Sequence, residues 1–216
     1  MVILPPAQLM DSPMTWPVVS TATLASGHIA DFVQDEVQTP DGEVISREYL
    51  RHPGAVGVIA VDEQMRVVLV RQYRHPVRHR LIEPPAGLLD VGGEDHVLAA
   101  RRELAEEVDL AAATWHVLVD LFTTPGILGE SVRIYLARDL IDTAAPDGFA
   151  RAGEEAHMDT VWAPLSDLVD AVLAGHLHNP ILVSGVLAAW TSWHKDGFAS
   201  LRPAAAAWPA RDQIPR

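Results

Sequence analysis

Gly87-Leu88-Leu89-Asp90-Val91-Gly92-Gly93-Glu94, seven further residues, then Arg102-Glu103-Leu104-Ala105-Glu106-Glu107-Val108-Asp109-Leu110 is the stretch on which the reading of this chain turns. On a helix, Glu103, Glu106 and Glu107 stand at i, i+3 and i+4, so their carboxylates share one face. Val97, Ala100, Leu104 and Val108 form an adjoining apolar stripe, and a helix is expected from about Asp95 to Val108. Arg102 lies one turn before Glu106 and can pair with it. Three glutamates alone read most simply as a solvated face. Each like-charge pair at these spacings costs roughly 0.2–0.5 kcal/mol, and a hard divalent cation reverses that sign because Mg2+ takes oxygen ligands. Gly87, Gly92 and Gly93 let the preceding backbone bend closely around such an ion.

Working outward, strand-like patterns cover Val18-Val19, Ile29 to Val37 and Val44 to Leu50, the last two joined by the turn Thr39-Pro40-Asp41-Gly42. Ala55 to Val61 and Arg66 to Gln72 read as a second hairpin around Asp62-Glu63-Gln64, with runs apolar enough to be buried on both faces. Strands are expected at His116 to Phe122, Val132 to Ala137 and Thr160 to Trp162. A helix should start at Ser166 and end near Gly175, and Asn179-Pro180 should open a last helix to about Trp193. The fold class is therefore α/β, a mixed sheet between helices with an N-terminal β-rich segment. One domain unit is expected: a flexible segment over 1–15, strands over 16–50 forming an arm of the same unit, the main domain over 51–200 and a loosely held tail over 201–216.

Composition narrows the function. With 16 Lys and Arg against 29 Asp and Glu, the formal charge is −13. A chain so acidic repels phosphate backbones, which argues against nucleic acid as a partner. If the ligand is an anion, cations must stand between it and the protein. No stretch approaches the roughly 20 apolar residues a membrane span needs. Val2 to Leu4 lacks the basic lead-in of a secretory signal. The absence of cysteine excludes disulfides and thiolate chemistry and fits a cytoplasmic enzyme. The histidines, His75, His79, His96, His157, His176 and His178 among them, never fall into a metal-binding motif such as H-E-x-x-H.

Gly87 to Leu110 resembles the Nudix box: Gly, five residues, Glu, seven residues, then Arg-Glu-aliphatic-any-Glu-Glu-any-Gly-aliphatic. Glu94, Arg102, Glu103, Glu106 and Glu107 all fit. Two departures stand out. Six residues separate Gly87 from Glu94, and Asp109 replaces the last glycine, at a helix end where a left-handed residue is usual. Other segments resemble the ADP-ribose pyrophosphatase branch of this family: Pro125, fifteen residues beyond Leu110, Arg71-Gln72-Tyr73-Arg74, Glu83-Pro84-Pro85-Ala86-Gly87 and Arg47-Glu48. Each has a plainer reading, Pro125-Gly126 as a turn, Arg71 and Arg74 as strand-flanking charges and Glu83 as a strand end. Their order and spacing carry the resemblance.

The resemblance implies a Nudix-type α/β/α sandwich and Mg2+-dependent, or Mn2+-dependent, hydrolysis of ADP-ribose to AMP and ribose 5-phosphate. Another nucleoside diphosphate sugar or dinucleotide as substrate, or a silent nucleotide sensor, stand as alternatives. It implies roles as well. The Ala86 carbonyl with Glu103 and Glu107 would bind the metal, Glu106 would help, and Arg102 would fix the carboxylates. Arg74, Arg71, Glu83 and Pro125 would contact substrate, with Glu130 at the terminal ribose. Arg47 and Glu48 would act across a homodimer. Such enzymes take a general base from a loop outside the box; here Glu155, with Glu154 second, is the candidate in the polar loop from Asp142 to Met158.

Overall fold

The structure, a computed structural model, describes residues 3–144 and 158–215. In chain order its elements are β1 (Val18–Ser26), β2 (Asp31–Gln38), β3 (Val44–Arg51), β4 (Ala55–Ala60), β5 (Arg66–Arg74), β6 (His79–Glu83), β7 (Ala86–Leu88), α1 (His96–Val108), β8 (Leu110–Phe122), β9 (Ser131–Asp142), β10 (Asp159–Pro164), α2 (Leu165–Leu173), α3 (Pro180–Asp196), β11 (Arg202–Pro203) and α4 (Pro209–Asp212). Among the described residues no helix is long and apolar enough to cross a membrane.

The chain divides into two compact units where the sequence suggested one. The first gathers residues 1–52, 124–129 and 208–216. Its β1-β2-β3 meander is antiparallel throughout. The turn expected at Thr39 to Gly42 is present, closed by the Gly42 N–H donating to the Thr39 carbonyl at 2.9 Å. Every residue of β1 is exposed, while β2 alternates and buries Val33 and Asp35.

The second unit is a three-layer sandwich. One sheet runs β11-β8-β9-β4-β7 and is mixed, because β4 pairs parallel with β9 and antiparallel with β7. The other runs β10-β5-β6, antiparallel. Period-two alternation splits β4 cleanly: Val56, Val58 and Ala60 enter one apolar cluster, Ala55 and Ile59 the other. Ala99, Ala100, Leu104 and Val108 of α1 join the first cluster. Leu165, Leu168 and Val169 of α2 and Leu182, Val186 and Ala189 of α3 join the second. Helices thus cover both faces, the α/β/α arrangement expected. Gly185 lets α3 press on β4, since a Cβ there would stand 2.6 Å from Ile59 Cγ1.

Two expectations need correction. Ala55–Ala60 and Arg66–Arg74 do not form a hairpin ladder. The turn exists, with the Asp62 N–H donating to the Arg66 carbonyl at 3.0 Å, but only Val61 and Val67 bridge before the strands enter different sheets. Nor is the C-terminal segment loosely held. β11 pairs with β8, the Arg133 guanidinium donates to the Ala206 and Ala207 carbonyls at 2.6 and 3.0 Å, and Trp208 and Arg211 are buried.

The helix ends follow local chemistry. The Asp95 carboxylate caps α1 by accepting from the Val97 N–H at 2.9 Å, and Asn179 Oδ1 caps α3 through the Leu182 N–H at 2.9 Å. At the other end of α1, Asp109 adopts φ 57° and ψ 36°, the left-handed conformation anticipated there. A non-glycine residue pays about 1–2 kcal/mol for it, part of which glycine returns through its freer unfolded chain. Asp109→Gly is therefore expected to raise the melting temperature by about 1–3 °C, read by calorimetry; a lower value would mean that the Asp109 side chain contributes more than its backbone strain costs.

Candidate active site

The acidic face of α1 is organised by one arginine. Arg102 donates through Nε and Nη2 to both oxygens of Glu94, each at 3.2 Å, and through Nη1 to Glu103 at 2.6 Å and Glu106 at 3.1 Å. All three carboxylates are largely buried, their side chains 12–16% exposed. Burial opposes the arginine's charge, but the Glu94 hydrogen bonds and the field of Glu103 outweigh it and hold its pKa above the ordinary value. The guanidinium is charged at every physiological pH. Packing decides whether the helix tolerates this face: burying Leu104 contributes about 1.5–3 kcal/mol, more than the like-charge pairs cost.

Glu107, next along the same face, is the most deeply buried of the four. It is 6% exposed and accepts from the Ala86 N–H at 3.1 Å, which ties α1 to β7. Glu103 lies against the same strand: a Cβ on Gly87 would stand 2.0 Å from its carboxyl carbon. A side chain at position 87 would displace that carboxylate from its present place. A loop-side strand, a glycine cradle and carboxylate oxygens from one helix make a donor set of hard oxygens, which suits Mg2+ or Mn2+. Among the described residues no three such groups are already gathered as an ion cage; Arg102 holds Glu103 and Glu106.

A second cluster lies on the β5-β6 hairpin. Glu83, 1% exposed, accepts from Arg74 through Nε at 3.0 Å and Nη2 at 2.7 Å, and from Gln72 Nε2 at 3.1 Å. Sequence reasoning did not single out Gln72 by itself, although its place two residues before Arg74 puts both on one strand face. Glu83→Ala removes the acceptor and leaves buried Gln72 without that bond. Loss of one partner of a buried pair costs about 3–5 kcal/mol. Arg74 is 42% exposed, so solvent reduces the cost to about 2–3 kcal/mol. A melting temperature lower by about 4–12 °C is expected in a thermal scan.

The remaining candidates are dispersed. Arg71 pairs with Asp159 of β10 at 2.9 Å, and Arg80 joins the same carboxylate. Glu130 accepts from the Thr123 hydroxyl. Pro125, Arg47 and Glu48 belong to the first unit. There the Pro125 segment turns tightly, with Ile127 and Leu128 N–H groups on the Thr124 carbonyl, and it bonds to Leu50 of β3, the strand that also carries exposed Arg47 and Glu48. Glu154 and Glu155 lie outside the described residues.

An acidic helix face drawn together by one arginine, beside a glycine-bearing strand on an α/β/α sandwich, defines a class of domain that works on phosphate anhydrides. Residues 51–182 match the NUDIX domain, and the chain belongs to that family. It is 44% identical over 190 residues to an ADP-ribose pyrophosphatase of Mycobacterium tuberculosis, covering 88% of this chain and 89% of that one. It is also 31% identical over 168 residues to a methanol dehydrogenase activator of Bacillus methanolicus, covering 78% of this chain and 89% of that one. A crystal structure of an ADP compounds hydrolase shares the fold, with a TM-score of 0.71 over 87% of this chain and 99% of that one, at 21% identity.

Proposed function

We propose that this chain hydrolyses the diphosphate of ADP-ribose, giving AMP and ribose 5-phosphate. The observation that carries the reading is the intact α1 face, Arg102, Glu103, Glu106 and Glu107 beside Ala86 and Gly87, in a chain 44% identical to an ADP-ribose pyrophosphatase along nearly its whole length. Glu103, Glu107 and the Ala86 carbonyl would hold a divalent cation, Mg2+ or Mn2+, with Glu106 supporting it. When bound, such an ion neutralises phosphate oxygens and makes a bound water more acidic.

The chain's own groups do the rest. Arg102 keeps the carboxylates in register, Arg74 and Arg71 offer guanidinium donors to phosphate, and Glu130 takes a ribose hydroxyl. Glu155, with Glu154 as second candidate, accepts the proton of the water that attacks phosphorus. One P–O bond forms to the water oxygen, the anhydride P–O bond breaks, and the other half of the diphosphate leaves as its phosphomonoester, so that AMP and ribose 5-phosphate result. Supporting a homodimer, with Arg47 and Glu48 at a shared site, is the exposed β1, paired on one edge only and bearing Val18, Val19 and Leu24 on its surface.

The test is a hydrolysis panel of ADP-ribose, ADP-sugars, GDP-mannose, NADH and nucleoside triphosphates with Mg2+ or Mn2+ in 18O water. AMP released from ADP-ribose with the highest kcat/KM is expected, and preference for another substrate rejects the reading. Ligand binding without turnover under either metal points instead to a sensor.

A further inference from the structure

Within the first unit, the loop over 124–129 has little of its own to hold it. Pro125, Gly126 and Ile127 are exposed at its tip, and none of its residues is buried. Its fastenings are backbone bonds. The Ile127 and Leu128 N–H groups donate to the Thr124 carbonyl at 3.0 and 2.9 Å. Leu50 of β3 donates its N–H to the Ile127 carbonyl at 2.8 Å, and its carbonyl accepts from the Gly129 N–H at 2.9 Å. Leu50 is itself 37% exposed. Backbone bonds at such a surface open readily unless side chains cover them.

The cover stands at Gly129. A Cβ there would meet the Leu50 carbonyl oxygen at 3.5 Å, Ile214 Cγ2 at 3.6 Å and Tyr49 Cδ2 at 4.0 Å, so an isoleucine methyl and a tyrosine ring edge close over the glycine. Both are fixed from behind. The Tyr49 hydroxyl donates to Asp35 Oδ2 at 3.1 Å, and the Thr21 hydroxyl donates to the other oxygen of that buried carboxylate at 2.6 Å. Ile214 follows two successive turns, the Arg211 N–H on the Trp208 carbonyl and the Ile214 N–H on the Arg211 carbonyl, each at 3.1 Å, with Trp208 and Arg211 buried. A segment whose proline and alanine content suggests a loose tail thus supplies a side-chain brace. We propose that Ile214 is a positioning residue for substrate: through Gly129 it stiffens the Pro125 loop, so that less ordering is left to be done when the ligand binds. This inference rests on the proposed hydrolysis of ADP-ribose, with Pro125 at the substrate.

Three forms of the full chain decide it: the unaltered one, Ile214→Ala, which removes the touching methyl, and Ile214→Val, which keeps a branched methyl in that place. In Ile214→Ala, amide hydrogen exchange should quicken about tenfold at Ile127, Leu128 and Gly129, while the β2 amides from Glu36 to Gln38 keep their rates. KM for ADP-ribose should rise about three- to tenfold with kcat unchanged, the signature of binding lost equally from ground and transition states. Ile214→Val should match the unaltered chain in both. Ile214 is half-buried, so shortening it should leave the fold intact and lower the melting temperature by no more than a few degrees. Loop exchange unchanged in Ile214→Ala, KM unchanged although exchange quickens, kcat lowered at constant KM, or Ile214→Val behaving as Ile214→Ala each overturns the proposal. If the hydrolysis panel names another substrate, the ADP-ribose reading fails alone: exchange still decides on the brace, and KM is taken for the substrate found.

Discussion

Glu107→Gln is expected to lower kcat by about a thousandfold or more while moving the melting temperature in a metal-free buffer by only a few degrees. The separation follows from where Glu107 sits. Its Oε2 accepts from the Ala86 N–H at 3.1 Å, and the amide oxygen of glutamine can take the same bond at the same length. The residue is 6% exposed, so the neutral amide is also easier to bury than a carboxylate. What glutamine cannot replace is negative charge. If Glu107 is a ligand, its loss removes charge stabilisation worth several kcal/mol at the transition state, and about 1.4 kcal/mol is one factor of ten in rate. Steady-state kinetics on ADP-ribose with Mg2+, beside a melt in EDTA, reads both quantities. Full activity in this variant would remove Glu107 from the metal site. A collapse of stability with partial activity would make it a strut between α1 and β7.

Glu83 offers the contrast. It is as deeply buried, but a guanidinium at 2.7 Å and an amide at 3.1 Å satisfy its charge within the protein. Two buried glutamates therefore have opposite expected signatures, stability for Glu83 and rate for Glu107. Burial alone does not separate them; the chemistry of the partner does.

How far the sequence could be read depends on how local each signal is. α1 was legible to within a residue because its cap, its apolar stripe and its left-handed end all lie inside Asp95 to Asp109. The start of α3 was as legible, since Asn179 and Pro180 state it outright, but the helix runs three residues past the end expected at Trp193. The β4–β5 hairpin misled because a turn is a local signal and a ladder is not. Asp62 closes the turn through the Gln64 and Arg66 N–H groups at 3.0 and 2.8 Å, yet β4 finds its partners in β7 and β9 and β5 in β6 and β10. β6 escaped notice because His79 and Arg80 open it, and β8 was read too short because Ala111 to Ala113 favour no strand; pairing with Leu140 to Asp142 imposes one. In the site, the box residues were visible as a pattern. The Arg74–Glu83–Gln72 cluster was visible only as separate pieces, since β5 and β6 must fold back before these groups meet.

Arg102→Met should show the second largest effect, and it tests the electrostatic logic of the whole face. Methionine keeps most of the buried stem but withdraws the charge that joins Glu94, Glu103 and Glu106. Hydrogen bonds to charged groups contribute about 1.5–3 kcal/mol each and are not additive within one network. With Arg102 29% exposed, a total loss of about 2–4 kcal/mol is expected, lowering the melting temperature by roughly 5–15 °C. Because the arginine's pKa is raised from an already high value, that loss should be the same from pH 6 to pH 9; the stability it gives is fully present below its unfolded pKa and would fade only on passing the folded one. Turnover should fall by about 10–100-fold, the usual cost of losing a group that orients metal ligands. Added Mg2+ supplies the decisive contrast. In the unaltered chain a cation must draw Glu103 and Glu106 from Arg102, whereas in the variant it relieves repulsion among carboxylates that have lost the arginine's charge, so the rise in melting temperature per unit of Mg2+ should be larger in Arg102→Met. Equal rises in both proteins would mean that Mg2+ binds away from these side chains, and the hydrolytic reading of α1 would lose its physical basis.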